Sequence, residues 1–371
     1  MDTHYAALFA PMSFGSQMLK NRIVMSPMTR QLSPNGIPGQ VNAAYYRRRA
    51  EGGVGLIITE GVCIPHIAAN GYADVPVMYG DEALNGWKTV VKQVHEYGAL
   101  IIPQLWHVGP MRRPGIGPDP SVPGYGPMTI RDGDQTIVKG LNEKDIKDII
   151  DAYVQAAKNA LDIGFDGIEI HGAHEYLLDS FIWQVTNQRK DKYGGTFNNR
   201  IRLASEVVSA IRAATSPEFP IVFRFSQWKI RDYGAKIIET PDQLEKFVTT
   251  LVEAGVDVFD VSTRRFWEPA FEGSPDSLAV WTRRLSGKPT IMVGSVGLDK
   301  AYAIAQLRGD EKPDAGRADL APAIALLASG SVDLVALGRM LLADPEWPTK
   351  VYEGRLSDIF PFDKSSMMTR L

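Results

Sequence analysis

Apolar residues along the chain fall into short runs separated by longer stretches with helical spacing. The runs are Arg22–Met25, Val54–Thr59, Ala99–Leu105, Asp166–Ile170, Pro220–Phe225, Val256–Val261, Pro289–Val293 and Val332–Leu337. Each reads as a buried strand, too short for a helix and rich in β-branched residues. Between them lie amphipathic stretches such as Asn42–Gly52, Glu82–Tyr97, Asn142–Ile163, Asn199–Ala214 and Asp242–Ala254. In the third of these, Ile146, Ile149, Ile150, Tyr153, Ala157 and Leu161 recur at the spacing of one helix face. Glycines at 52–53, 98, 164, 255 and 330 punctuate the passage from helix to strand, where a C-terminal helix cap is expected.

Eight strands alternating with helices predict a parallel sheet, because each crossover helix returns the chain to the same edge. Eight is also the number that closes a barrel, so the expected fold is an α/β, single-domain (β/α)8 TIM barrel over 1–371. The alternative is an open doubly wound sheet, which would usually start with a glycine-rich nucleotide turn. The only near match, Gly53-Val-Gly55, lies at the start of a strand and not after one. One segment breaks the rhythm: His107–Gly140 carries seven glycines and six prolines with little periodicity. On the C-terminal side of the third strand, a connection this long predicts a loop lid over the barrel mouth.

Composition narrows the function classes. The 371 residues carry 40 basic and 43 acidic side chains, a net charge of −3, which offers no electrostatic footprint for nucleic acid. Uncharged apolar runs such as Gly53–Thr59 are far too short to span a bilayer. The opening Met-Asp-Thr-His lacks the basic-then-apolar order of a secretory signal, so a cytoplasmic enzyme is expected. The lone Cys63 rules out an internal disulfide, a cysteine-held iron–sulfur cluster and a cysteine zinc site within one chain.

In a barrel of this kind the chemistry sits at the C-terminal ends of the strands. The fourth strand ends in His171, His174 and Tyr176. Imidazole N–H groups hold a carbonyl oxygen or stabilise charge growing on it, and a phenol hands over a proton. A competing reading is a metal pair, since histidines three apart ligate zinc when a third ligand is near. Thr29, Gln104 and Arg224 stand at other strand ends and suit a polar ring. Arg224, within an apolar strand, needs an anion or several acceptors, and no acidic partner is adjacent in sequence. Glycine turns at Gly294-Ser295 and Gly338-Arg339 follow strands seven and eight, where phosphate often binds. Together they match a phosphorylated planar cofactor such as flavin mononucleotide (FMN). Tyr72, Trp106 and Trp267 are aromatics placed to shape a pocket at the mouth.

Several long segments, in order along nearly the whole chain, resemble the Old Yellow Enzyme family of flavin-dependent oxidoreductases. They are Leu8-Phe-Ala-Pro11 with Leu19-Lys-Asn-Arg22-Ile-Val-Met-Ser-Pro-Met-Thr-Arg30, Gly71-Tyr72, Gly86-Trp87-Lys88, and Gln104-Leu-Trp-His-Val-Gly109. The His171–Tyr176 cluster, Asn187-Gln-Arg-Lys-Asp191-Lys-Tyr-Gly-Gly195 with Asn199-Arg200, and Leu337-Gly-Arg339 with Ala343-Asp-Pro345 continue the match. The resemblance implies one non-covalent FMN, NADH or NADPH as electron donor, and reduction of activated C=C bonds of α,β-unsaturated carbonyl or nitro compounds. It implies that Ser26, Pro27, Met28 and Thr29 lie along the flavin, with Gly61 approaching through its backbone. Gln104 and Arg224 would bond the pyrimidine edge, and Gly294, Ser295, Gly338 and Arg339 the ribityl phosphate. His171 and His174 would hold the substrate oxygen, with hydride coming from flavin N5 and the proton from Tyr176.

Three departures from the family pattern stand out: Pro110 where many relatives have arginine, Ser226-Gln-Trp228 where a proline is common, and the aromatic segment Ser262–Gly273. The competing functions are oxidative N-demethylation or dehydrogenation on the same scaffold, a flavin-free metal-dependent hydrolase using the histidine pair, and a binding protein whose catalysis has lapsed. The expected partners are a small-molecule substrate and, as an open option, further copies of the chain in a homo-oligomer, with no nucleic acid, membrane or metal.

Overall fold

The structure, a computed structural model, describes residues 5–301, 318–363 and 365–366. Eight strands close into a parallel barrel: β1 Ile23–Met25, β2 Leu56–Cys63, β3 Leu100–Trp106, β4 Ile168–His171, β5 Ile221–Phe225, β6 Val258–Ser262, β7 Thr290–Val293 and β8 Leu334–Leu337. They follow one another around the barrel in chain order, and β8 pairs with β1. Each begins one or two residues later than its apolar run, and acidic residues at three of the entries act as bottom clasps. Asp166 accepts from the Ile101 N–H, Asp257 from Ile221 and Asp333 from Thr290. His95, Arg212 and Arg283 pair with those same carboxylates.

The outer ring is made by α1 Gln40–Glu51, α2 Asp81–His95, α3 Glu143–Asp162, α4 Phe197–Ala214, α5 Pro241–Ala254, α6 Leu278–Ser286 and α7 Ala321–Ala328. Side-chain caps start three of them: Asn142 for α3, Thr196 for α4 and Thr240 for α5 each accept from a backbone N–H of the first turn. Among the described residues no helix is long and apolar enough to cross a membrane.

Inside the barrel, the two-residue period of each strand sorts the chemistry into levels. Val24, Leu56, Ile58, Leu100, Ile102, Val222, Val258, Ile291 and Leu334 form an apolar lower core. A hairpin of Met12–Phe14 and Gln17–Leu19 closes it from below, burying Phe14 and Leu19 in the same cluster. Two positions further along the strands, the same inward parity delivers Ser26, Gln104, Glu169, Arg224 and Asp260. Ile168 and Ile170, on the other parity, pack with the helix-facing core.

Two expectations change. The strand expected to end at Thr59 continues to Cys63 through an irregularity, where Ile58 pairs with Ile102 but Gly61 with Gln104. Thr59 and Glu60 stand opposite the single residue Pro103, one residue in surplus, and Glu60 turns aside to accept from the Arg30 and Gln31 N–H groups, tying the loop after β1. Burial pushes the Glu60 carboxyl up to about 7. The segment 107–140 is not a structureless lid. Gly124–Gly126, Ile130–Asp132 and Gln135–Gly140 form a three-stranded sheet that, with Val185 and Gln188, walls a separate cavity of about 360 Å³.

The plug is testable. Phe14→Ala opens a hole under the lower core and is expected to cost about 3–5 kcal/mol. Urea denaturation followed by circular dichroism measures it; a loss below about 1 kcal/mol would show that the hairpin is not part of the core.

Candidate active site

At the C-terminal mouth a cavity of about 580 Å³ adjoins a smaller one of about 170 Å³. Thr29, Arg224, Trp228 and Ile230 stand on the walls of both, so the two form one continuous space. The larger part is lined by Ser26, Met28 and Thr29 after β1, by Gly294 and Ser295 after β7, and by Gly338 and Arg339 after β8. Pro27, Gln104, Trp106, His171, His174 and Tyr176 line the smaller part. Tyr72 stands on the larger cavity and reaches across: its hydroxyl lies 3.2 Å from that of Tyr176.

The fourth strand's cluster gathers as rings at right angles. Tyr176 meets His171 at 5.0 Å and Trp106 at 4.9 Å between ring centroids, both edge-on. The turn that achieves this is strained: His174 and Glu175 both adopt positive φ, 65° and 67°, a region non-glycine residues seldom occupy. Buried polar contacts hold it. The Glu175 N–H donates to Asp179, whose other oxygen takes the fully buried Lys229 ammonium at 2.7 Å. The Glu175 carboxylate receives the Arg231 side chain and backbone N–H. These contacts tie the loop after β4 to the loop after β5.

Protonation follows from burial. Desolvation first, then the Arg224 charge, holds His171 well below the usual imidazole range. His174 is lowered for the same first reason, with His171, Arg224 and Lys229 adding to it. The Ala173 N–H donates to His171 Nδ1, so the ring proton of the neutral form sits on Nε2. His174 Nε2 lies 3.0 Å from Ser262 Oγ, which also accepts from Arg224 at 3.2 Å. Burial, reinforced by Tyr72, raises the Tyr176 phenol well above its ordinary value, so it keeps its proton. The site therefore presents neutral donors and one protonated acid.

Arg224 has the anion that its burial requires. Its anion comes from the neighbouring strand: Nη1 meets Asp260 at 2.6 Å, both side chains buried. Arg224 Nε and the Ser26 hydroxyl, both buried on this wall, have no protein partner. The histidine pair does not extend to a metal site, for no group of three His, Cys, Asp or Glu among the described residues is arranged to hold an ion. Nearby carboxylates are engaged elsewhere: Glu175 with Arg231, Glu169 with Gln104 and Asp166 at the barrel bottom.

Two expected site residues stand off the cavity. Gly61 lies against Trp106, and a Cβ there would run into the indole ring, which accounts for the glycine through packing. Trp267 is 45% exposed, edge-on to Phe266, and lines neither part. No residue of 107–140 lines either part; Trp228, Ile230 and Tyr233 after β5 and Arg264 after β6 complete the wall. Trp228 lies 4.2 Å from the His174 ring between centroids. Its only sequence signal was the departure from proline in that loop. The pairing of Arg264 with the Tyr233 ring, 3.6 Å away, had no signal at all.

Comparison with known proteins agrees with this geometry. The profile of the NADH:flavin oxidoreductase / NADH oxidase family matches residues 7–358. The chain is 36% identical to an NADH oxidase of Thermoanaerobacter brockii over 96% of its own length, but spans only 52% of that protein. It is 30% identical to the flavin oxidoreductase hxnT of Emericella nidulans, covering 97% of this chain and 93% of the relative. The structure of morphinone reductase in complex with tetrahydroNAD superposes with a TM-score of 0.79 at 28% identity, over 97% of this chain and 93% of that one. The Old Yellow Enzyme homologue from Zymomonas mobilis gives 0.78 at 26%, over 98% and 97%. The chain belongs to this family of FMN-dependent NAD(P)H oxidoreductases of the Old Yellow Enzyme type. The cavity's lining suits FMN: a mostly apolar space of about 580 Å³, partnerless buried polar atoms at Arg224 and Ser26, and Arg339 with the Gly294 and Gly338 turns on its wall.

The imidazoles carry a pH signature. Their folded pKa lies below the unfolded value of about 6.5, so the unfolded chain takes up protons that the folded one refuses. Stability is therefore complete above that value and falls as pH drops below it. His174→Asn should shrink the loss of melting temperature between pH 7 and pH 5; an unchanged acid sensitivity would mean that His174 is already charged in the fold.

Proposed function

We propose that this protein is an ene-reductase: with NADH or NADPH as donor it reduces the activated C=C bond of an α,β-unsaturated carbonyl or nitro compound. The observation that carries the reading is the protonated Tyr176 phenol standing 5.0 Å from neutral His171, on the part of the cavity that adjoins the flavin-sized slot. FMN, when bound, would supply the two-electron hydride chemistry that links the nicotinamide to the substrate's β-carbon.

The chain's own groups do the rest. His171 donates its Nε2–H to the activating oxygen, withdrawing electron density from the β-carbon, and His174 supports the same oxygen from the opposite side of the turn. Both act as neutral donors, so the oxygen is polarised without being protonated. Tyr176 passes its proton to the α-carbon, which completes the addition of hydride and proton across the double bond. The Tyr72 hydroxyl, hydrogen-bonded to Tyr176, offers a route by which that proton is replaced. Ser26, Thr29, Gln104 and Arg224 would bind the ring of the cofactor, and Ser295 and Arg339, joined at 3.3 Å, its phosphate. Trp228 and Tyr233 would shape the substrate space, a role the sequence had assigned to Trp267.

Anaerobic reduction by NADH and by NADPH, then re-oxidation by 2-cyclohexenone, maleimide or a nitroalkene, tests the assignment. Failure of both nucleotides to bleach the flavin would refute it. Tyr176→Phe should slow re-oxidation by the enone about 10²–10⁴-fold while leaving the reductive step nearly intact. Loss of the reductive step instead would remove Tyr176 as proton donor.

A further inference from the structure

The barrel interior holds an acid pair that the chemistry above does not use. Glu169 on β4 and Asp260 on β6 are both fully buried and share the inward parity of Arg224. Gln104 Nε2 donates to Glu169 Oε1 at 2.7 Å, and Arg224 Nη1 to Asp260 Oδ2 at 2.6 Å. Glu169 Oε2 and Asp260 Oδ1 are left, buried and without a donor, and after burial it is the neighbouring Asp260 that most raises the Glu169 carboxyl.

Two carboxylate oxygens do not face each other as anions in a dry interior; a proton between them turns repulsion into a hydrogen bond. The charge count agrees. Arg224 on β5 is the one cation acting on Glu169, Asp260 the one other acid, and Gln104 on β3 is neutral, as is His171 on β4 itself. Two carboxylates against one guanidinium leave a buried negative charge; one added proton brings the cluster to neutrality.

We propose that Glu169 and Asp260 share one proton in the resting protein, and that this neutral cluster positions Arg224 and Gln104 for the pyrimidine edge of FMN. The pair occupies Arg224 Nη1 and one hydrogen of the Gln104 amide, leaving Arg224 Nε and Gln104 Oε1 to a ligand. A donor and an acceptor of that kind complement a carbonyl beside a ring N–H. The shared proton also sets the electrostatics: Arg224 faces the cofactor with one negative charge behind it, not two. The inference rests on the placement of FMN proposed above.

Single amide substitutions separate this from a doubly ionised pair. In Glu169→Gln the amide N–H replaces the shared proton, and in Asp260→Asn the amide accepts from Arg224 and donates to Glu169. Each single variant keeps every hydrogen bond and one carboxylate, so the charge beside FMN is unchanged. Each is expected to hold the flavin midpoint potential close to that of the unaltered protein. The double variant leaves Arg224 without a counter-charge and should raise the potential markedly, because a bare cation favours the reduced, more negative flavin. Two ionised carboxylates would instead make each single substitution raise the potential, in steps that add. Infrared difference spectra of the apoprotein at pH 7 supply the second readout, independent of FMN. Subtracting the spectrum of each single variant from that of the unaltered protein should leave a carboxylic acid C=O band, because the protonated fraction of Glu60 is common to all and cancels.

No such band overturns the shared proton, whatever the flavin does. If the band is present but the double variant leaves the potential unmoved, the link to FMN is overturned and the placement of the ring at Arg224 falls with it. Should the double variant not fold, a raised potential in either single variant is enough to refute the proposal.

Discussion

Closing eight parallel strands into a ring forces every second residue of each strand into the same narrow interior, and the rest of this protein is arranged around that constraint. Low in the barrel the inward positions are Val, Leu and Ile, and the Phe14 hairpin seals them from below. One step higher the same parity delivers Gln104, Glu169, Arg224 and Asp260 into a space with no water to share. Groups placed there satisfy one another in part: Gln104 bonds Glu169, and Asp260 bonds Arg224, which reaches Ser262 and through it His174. The His174 imidazole at the mouth is thereby joined to the polar interior of the barrel.

The upper rim is held by different means. The loop after β4 makes a tight turn through two residues with positive φ, and a turn like that persists only when its surroundings over-determine it. Lys229–Asp179 and Arg231–Glu175 provide this, and both cations come from the loop after β5. The same loop carries Trp228 against His174, so the loop that holds the turn also walls the cavity. Burial then does the chemical tuning: one dry environment keeps the imidazoles neutral and the phenol protonated.

The fold was legible because both of its periods are local. Alternation at two and at three-to-four residues marked all eight strands and the main helices, within a residue or two except at the end of β2, four residues further on. At three of the strand entries acidic clasps stand whose partners lie 36 to 65 residues away. His171, His174, Tyr176, Gln104, Arg224, Ser295 and Arg339 were legible as residues of the mouth because they stand at strand ends, and all of them line its cavity. The lid was misread because glycine and proline content signals irregular backbone without saying over what it lies. Gly61 and Trp267 were misplaced for a related reason: a glycine's neighbour and an aromatic's direction are properties of packing.

What the sequence by itself determined is the barrel, its polarity and the chemical kinds available at its mouth, since these follow from spacing along one chain. What only the tertiary structure decided is partnership. That Arg224 has a counter-ion in Asp260, that Glu169 and Asp260 meet, that Tyr72 reaches Tyr176 and that Trp228 replaces Trp267 on the wall all depend on which strands become neighbours and how loops cross between them. Charge state follows partnership, because an ionisable group in a dry interior takes the form its neighbours can satisfy. The residues that could react were written along the chain; the protons they hold were decided by the fold.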